Sequence, residues 1–146
     1  MKSTKSDIHH KLRFQLEKSL EEARRDYALA KESRDSDTKS SAGDKFETGR
    51  EMMQREMDKL SAQVDNLLNS IAKLDRIAEY PTSTIISEGS LVVTDQETYY
   101  LSIGYGKIET VYAISIESPL GVELKGKRVG DRIEMRGRNI TIKSIL

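Results

Sequence analysis

Two long stretches in the first half of the chain carry apolar residues at the alternating four- and three-residue spacing of a coiled coil. The second stretch is the more regular of the two and continues for about three heptads. Such stripes predict two amphipathic helices that bury their apolar faces against each other. The apolar positions are Ile8, Leu12, Leu16, Leu20, Ala23, Tyr27 and Ala30 in the first stretch, and Met53, Met57, Leu60, Val64, Leu67, Ile71 and Leu74 in the second.

A short polar connection separates the two stretches. Residues 34–42 contain Asp35, Asp37 and several serines, and Gly43 follows them. Such residues are expected where one helix ends and another begins. We therefore expect an antiparallel hairpin of about 40 Å, with an intermolecular coiled coil as the alternative. A fold at about residue 38 would place Leu20 opposite Met57.

After Leu74 the apolar period changes from that of a helix to that of a strand, and Pro81 disfavours helical geometry before it. Short β-rich runs separated by turn signals follow, with one helical stretch near Gly121 to Lys127. The sequence thus predicts an α+β protein: an antiparallel coiled-coil hairpin over residues 1–78, then a small antiparallel β-sheet domain with a short helix over residues 79–146. The predicted strands are Thr84–Ser87, Ser90–Thr94, Thr98–Ile103, Thr110–Ile116, Arg132–Arg136 and Ile140–Ile145.

Composition excludes several kinds of function. The 24 basic and 24 acidic side chains cancel, which argues against tight binding to duplex nucleic acid. The chain has no cysteine, so it forms no disulfide and no thiolate metal site. It has no run of 18 apolar residues, and Met1 to Lys5 does not resemble a signal peptide. We expect a cytoplasmic monomer that does not bind membranes.

The turn between the helices carries Asp44 and Glu47, three residues apart. At the tip of a narrow hairpin, these two carboxylates are suited to enter a pore and reach a metal or a cationic site. A structural interpretation is also open. Ser41 would then cap the second helix, and Asp44 would be stabilised by the positive end of the helix dipole. Glu47 would form an ion pair along the helix face with a residue such as Arg50.

Two motifs together resemble a known family. The segment Ile114 to Gly121 contains Ser-Pro-Leu-Gly, and residues 126–131 read Gly-Lys-Arg-Val-Gly-Asp. This order is similar to the C-terminal, FKBP-like domain of the bacterial Gre transcript cleavage factors. That family places an antiparallel coiled coil before the domain, with a tip motif Gly-Asp-x-x-Glu that Gly43, Asp44 and Glu47 match.

The resemblance implies a transcription elongation factor that binds RNA polymerase. In the family, the C-terminal domain docks at the rim of the secondary channel, and the coiled coil enters the channel toward backtracked RNA. The factor is not itself an enzyme and holds no tightly bound cofactor. By this resemblance, Asp44 and Glu47 assist the polymerase's active site by sharing a Mg²⁺ ion, and contact with nascent RNA is indirect.

The polymerase-docking element of the family corresponds to Ser118, Pro119, Leu120 and Gly121. The structural alternative for these residues is a turn that leads into the short helix, with Pro119 at its first position. Both interpretations are compatible.

Other functions stay open at this point. Residues 48–50 depart from the family's usual Asn-Ala and aromatic residue, and Asp35 and Asp37 add acids to the connection. A Gre-like regulator that enters the channel and inhibits the polymerase is therefore one alternative. A coiled-coil adaptor with no role for the tip acids is another. A peptidyl-prolyl isomerase would need an aromatic-lined pocket, whereas the chain has no tryptophan and its two phenylalanines, Phe14 and Phe46, lie in the helical half.

Overall fold

A computed structural model of the chain describes residues 4–36 and 43–146, and it describes side chains over residues 4–36 and 47–146. Within these residues the chain forms three helices and six strands. The helices are α1 (Lys5–Ser36), α2 (Gly43–Ile77) and α3 (Pro119–Leu124). The strands are β1 (Leu91–Thr94), β2 (Thr98–Leu101), β3 (Gly106–Ile108), β4 (Val111–Ile114), β5 (Arg132–Met135) and β6 (Arg138–Ile145).

The chain divides into two compact units. The helical unit is Phe14–Ile71, and the sheet unit combines Met1–Arg13 with Ala72–Leu146. The sequence predicted a domain boundary after residue 78, where the helical pattern stops. In the structure α2 ends at Ile77. The compact units instead follow packing, so the first turns of α1 and the last turns of α2 belong with the sheet.

In the helical unit, α1 and α2 pack against each other along the predicted apolar stripes. A surface helix forms stably in water chiefly because such a stripe is buried against a partner. The helical hairpin predicted from the sequence is therefore confirmed. Leu16, Leu20, Ala23, Ala30, Met57 and Leu60 are buried, and Tyr27, Met53, Val64 and Leu67 are half-buried.

The pairing of the two helices differs from the predicted one. Arg34 Nη1 donates to Gln54 Oε1 at 2.7 Å, whereas a fold at residue 38 would place Arg34 opposite Gly43. This offset exceeds what two side chains can span along the helix axis, at 1.5 Å per residue. The predicted pairing was wrong by about eleven residues along α2, because a seam whose apolar residues alternate by four and three fits itself again after three helical turns.

The sheet has the strand order β3-β4-β2-β1-β6-β5. Its neighbouring strands are antiparallel except for β2 and β4, which are parallel. The parallel pair arises because β3 and β4 form a hairpin, and β4 rather than β3 lies beside β2. The sheet is therefore mostly antiparallel, and the α+β fold predicted from the sequence is confirmed.

Two predicted details of the strands were wrong. The run Thr84–Ser87 forms no strand, because only Ile86 pairs there: its N–H donates to the Lys127 carbonyl at 2.9 Å, and its carbonyl accepts from Gly126 N–H at 2.8 Å. Strand β3 was missed because its first residue belongs to the glycine-rich segment interpreted as a turn. Gly106 has a φ of 106°, a conformation that side chains disfavour.

Each face of the sheet is covered by a different part of the sheet unit. Successive strand residues point to opposite faces, so Val92 and Tyr100 lie on opposite sides. The Val92 face forms a core with Leu124 of α3, and Ile86, Leu101, Ile133, Ile140 and Ile142 complete it. On the other face, Tyr100 receives the buried imidazole of His9 from α1. The contact between His9 Nδ1 and the Tyr100 hydroxyl oxygen measures 2.6 Å.

The His9–Tyr100 pair should make the stability of the protein dependent on pH. Burial lowers the pKa of His9, so the folded protein resists its protonation, while the unfolded chain takes up a proton below about pH 6.5. Stability should therefore fall as the pH is lowered from about 7.5 to about 5. The charged and titratable groups around His9 are Lys5, His10, Arg13, Asp75 and Tyr100.

Urea denaturation at these two pH values measures the effect. His9→Gln, which keeps a polar side chain but does not titrate, should flatten the pH dependence, while His10→Gln at the exposed neighbouring position should retain it. A pH dependence unchanged by His9→Gln would contradict this account.

Candidate functional site

The acidic pair predicted as the metal-facing site lies at the start of α2. The helix begins at Gly43, so Asp44 and Glu47 belong to its first turns. Residues three apart on a helix are neighbours on its surface, which places the two positions on one side of α2. Glu47 is exposed. The side chain of Asp44 lies outside the described residues, as do Asp37 and the proposed helix cap Ser41.

A shallow cavity of about 290 Å³ adjoins Glu47 and is also lined by Arg50, Glu51 and Gln54. A polar network begins at its edge. Gln54 Nε2 donates to Asp58 Oδ1 at 3.0 Å, and Gln54 Oε1 accepts from Arg34. The surface next to Glu47 therefore offers carboxylates, a guanidinium and an amide to a partner.

Asp35, one of the extra acids of the connection, is already engaged. Arg34 lies 3.1 Å from its carboxylate, and both residues end α1. A carboxylate held by a guanidinium is a weaker candidate for a metal ligand than the exposed Glu47. Over the part of the chain that the structure describes, no three His, Asp or Glu side chains come close enough together to hold a metal ion.

The predicted docking element forms a tight turn before α3. Ser118 caps the helix, since its hydroxyl oxygen accepts from Gly121 N–H at 3.1 Å, and Pro119 takes the first helical position. The same hydroxyl donates to the Ser115 carbonyl at 2.6 Å. Serine is favoured as an N-cap and proline as the first helical residue for these reasons. The structural interpretation of this turn is therefore confirmed, and α3 starts two residues earlier than predicted.

Gly121 is required by close packing of the backbone. A Cβ atom at this position would overlap the carbonyl oxygen of Ser115 and lie 2.8 Å from Cα of Ile116. These atoms belong to the main chain and cannot move aside as a flexible side chain can. The absence of a side chain at residue 121 thus lets α3 approach the end of β4.

The turn also lines a groove of about 580 Å³ in the sheet unit. Ser118, Pro119 and Leu120 form one wall, while Gly121 is buried behind them. The rest of the groove comes from the β1–β2 turn, from β2, from the end of β4 and from the β5–β6 hairpin. Its other lining residues are Gln96, Glu97, Tyr99, Ile114, Met135, Arg136, Arg138 and Ile140.

The groove combines an apolar floor with a basic rim. Tyr99, Leu120 and Met135 are half-buried and pack against the core, while Arg136 and Arg138 are exposed. Arg136 has a φ of 53° in the two-residue turn of the hairpin, a turn type that demands positive φ. Sequence reasoning missed these two arginines because they lie on a hairpin far from the Ser-Pro-Leu-Gly motif. The signals of that hairpin were the polar turn Arg136 to Asn139 and the predicted strands on either side of it.

No protein-family model matches the chain, and no curated protein matches it in sequence. In the described residues, no helix is both long enough and apolar enough to cross a membrane. Any assignment of function therefore depends on the chemistry of the acidic pair and of the groove.

Substitution of Gly121 by alanine should destabilise the protein by about 1–3 kcal/mol or more, because the added methyl group overlaps fixed backbone atoms. Gly104→Ala is the matched control. A Cβ there has nothing within 4 Å, so the change should stay within about 0.5 kcal/mol or be slightly stabilising. The free energy of unfolding in urea measures both variants. Equal stabilities would show that α3 adjusts to the extra methyl group.

Proposed function

We propose that the protein is a Gre-like accessory factor of RNA polymerase. Its sheet unit docks on the polymerase through the groove beside Ser118, and its helical hairpin enters the secondary channel. There it promotes Mg²⁺-dependent cleavage of backtracked RNA by the polymerase. The observation that carries the proposal is the start of α2 at Gly43, which puts Asp44 and Glu47 on the first turns of a paired helix.

The pairing of α1 and α2 in the helical unit supports the proposal. Paired helices satisfy their own backbone hydrogen bonds and need no further partner for support. A hairpin of this kind can present side chains from one end. The first turns of α2 also carry the positive end of the helix dipole, a favourable place for acidic residues such as Asp44 and Glu47.

The composition of the acidic pair suits an incomplete metal site. Mg²⁺ prefers oxygen ligands, and it commonly takes one or two carboxylates from a protein while keeping several waters. Asp44 and Glu47 would hold the ion, and the polymerase and RNA would supply the other ligands. When bound, the ion would activate water, while the polymerase's own catalytic metal would stabilise the leaving oxygen in phosphodiester hydrolysis. The free protein would then bind Mg²⁺ weakly and cleave no RNA.

The groove supports docking on a partner. An apolar floor with exposed arginines at its rim matches the general composition of protein interfaces, in which aromatic residues, methionine and arginine are enriched. The Ser118 turn is held rigid by its own hydrogen bonds. A rigid turn loses little conformational entropy when a partner binds.

Asp44→Asn and Glu47→Gln should each lower the rate of RNA cleavage by on the order of tenfold or more, because each removes one charged metal ligand. Shortening of the RNA 3′ end in stalled, backtracked elongation complexes with Mg²⁺ measures the rate. Glu56→Gln is the control, since Glu56 is an exposed acid of α2 that does not line the cavity beside Glu47.

The same assay separates the alternatives. Cleavage that is stimulated equally by all three variants would refute the assigned acids. Inhibited elongation without shortening of the RNA would favour a regulator that blocks the channel. No effect on elongation, with no binding to the polymerase, would favour a coiled-coil adaptor.

The groove can be tested independently of cleavage. Arg138→Gln should weaken binding to RNA polymerase by about two- to tenfold, because it removes a charge from the rim of the proposed interface. Lys143→Gln makes the same change of charge at an exposed residue of the same strand outside the groove, so it should leave the affinity unchanged. Titration of labelled protein with core polymerase measures the affinities. Equal weakening by both variants would argue against this docking surface.

A further inference from the structure

A second cavity lies on the opposite side of the sheet from α3. It has a volume of about 740 Å³ and lies between the first turns of α1, the end of α2 and strand β2, all within the sheet unit. Cavities that bind small molecules commonly measure about 300–1,000 Å³. The proposed polymerase function uses none of the residues of this cavity, which we name the α1–α2 cleft.

The polar lining of the cleft holds two histidines in fixed orientations. His9 Nδ1 and the Tyr100 hydroxyl oxygen lie 2.6 Å apart, and in the His9 tautomer that carries its proton on Nε2 the hydroxyl donates and Nε2–H remains as a further donor. Burial lowers the pKa of His9 and raises the pKa of Tyr100 to about 12, which keeps both groups neutral near pH 7. His10 donates from Nδ1 to the Ser6 carbonyl at 2.7 Å, and its ring lies edge-on to His9 with centroids 6.1 Å apart.

The charged side chains that line the cleft, Lys5, Arg13 and Asp75, sum to one positive charge. Arg13 binds Asp75 through two contacts, Nε to Oδ1 at 2.7 Å and Nη2 to Oδ2 at 3.2 Å, so these charges offset each other. Lys5 supplies the remaining charge. Its ammonium group has three donors, and its bond to the Leu146 carbonyl at 3.3 Å occupies only one of them.

The apolar lining of the cleft comes from Ile77, Ala78 and the rings of Tyr80 and Tyr100. Tyr80 is 43% exposed, so part of its ring is accessible to a ligand in the cleft. An exposed aromatic face stacks favourably on a flat apolar group. The cleft thus combines a surface for a flat ring with one cation and an imidazole donor.

We propose that the α1–α2 cleft binds a small organic monoanion with a flat apolar body, that is, an aromatic carboxylate. The carboxylate pairs with Lys5 and accepts from His9, and the ring packs against Tyr80. One net positive charge matches a monoanion, whereas nucleotides and other polyanions would leave charge unpaired at a cost in affinity. Because Lys5, Tyr80 and Tyr100 come from separate parts of the chain, such a ligand binds the folded sheet unit only and stabilises it.

Titration of the full chain with naphthalene-2-carboxylate at pH 7.5, followed by calorimetry and by NMR shifts of Tyr80 and His9, tests the proposal. Saturable binding is expected, with shifts confined to cleft residues. The neutral analogue 2-naphthamide should bind about tenfold more weakly or less, because it cannot pair with Lys5. Lys5→Gln and Tyr80→Ala should each weaken binding of the carboxylate by about tenfold.

Lys125→Gln serves as the control, because it removes the same charge beside α3 without touching the cleft, and its affinity should equal that of the unchanged protein. The two cleft variants replace partly or fully exposed side chains, so their thermal unfolding should stay cooperative. Absence of saturable binding would overturn the proposal. Binding that persists in both cleft variants, or binding of inorganic phosphate or adenosine monophosphate as tight as that of the carboxylate, would overturn it as well.

Discussion

The sheet of this protein has two apolar faces, and burial of both is the constraint on which the rest of the sheet unit depends. Residues 79–146 alone would be marginal as a self-sufficient unit, because a segment of 68 residues buries little apolar surface. Helix α3 covers the face that carries Val92. The first turns of α1 and the last turns of α2 lie on the face that carries Tyr100. Tyr100 is 1% exposed, and its hydroxyl is satisfied by His9, a residue 91 positions earlier in the chain. A buried polar pair of this kind is stable only when both partners are present.

This arrangement explains why the sheet unit offers two different surfaces. On the α3 face, the requirement for glycine at residue 121 brings the helix start close to β4, and the groove forms beside the resulting turn. A structural role and a binding role coexist there, because the hydrogen bonds of Ser118 that cap α3 also hold Pro119 and Leu120 in place. On the other face, the first turns of α1, the end of α2 and strand β2 line the cleft beside Tyr80. Surface ion pairs such as Lys11 with Glu109 contribute little to this packing, since both side chains are nearly half exposed.

Several elements were predictable from local pattern alone. The heptad stripes predicted both helices, and the seam positions that they identified are buried or half-buried. Alternating patterns predicted most strands, because each is flanked by turn residues. The run Thr84–Ser87 failed for a physical reason: its residues have β propensity, but only Ile86 pairs with another segment, and that segment, Gly126 and Lys127, is not a strand. Strand β3 was missed for the converse reason, since pairing with β4 overrides the low strand propensity of its glycine.

By itself, the sequence determined the helices, their buried faces, the class α+β, and the positions of Asp44, Glu47 and the Ser-Pro-Leu-Gly turn along the chain. These properties depend on contacts between residues close in sequence, where period and capping chemistry are sufficient. Only the tertiary structure decided the pairing of the helices, because a seven-residue repeat is satisfied by more than one alignment. It also decided the parallel pairing of β2 with β4 and the meeting of His9 with Tyr100. These contacts join residues far apart in the chain, and the free energy that selects them comes from the burial of the whole unit rather than from any local pattern.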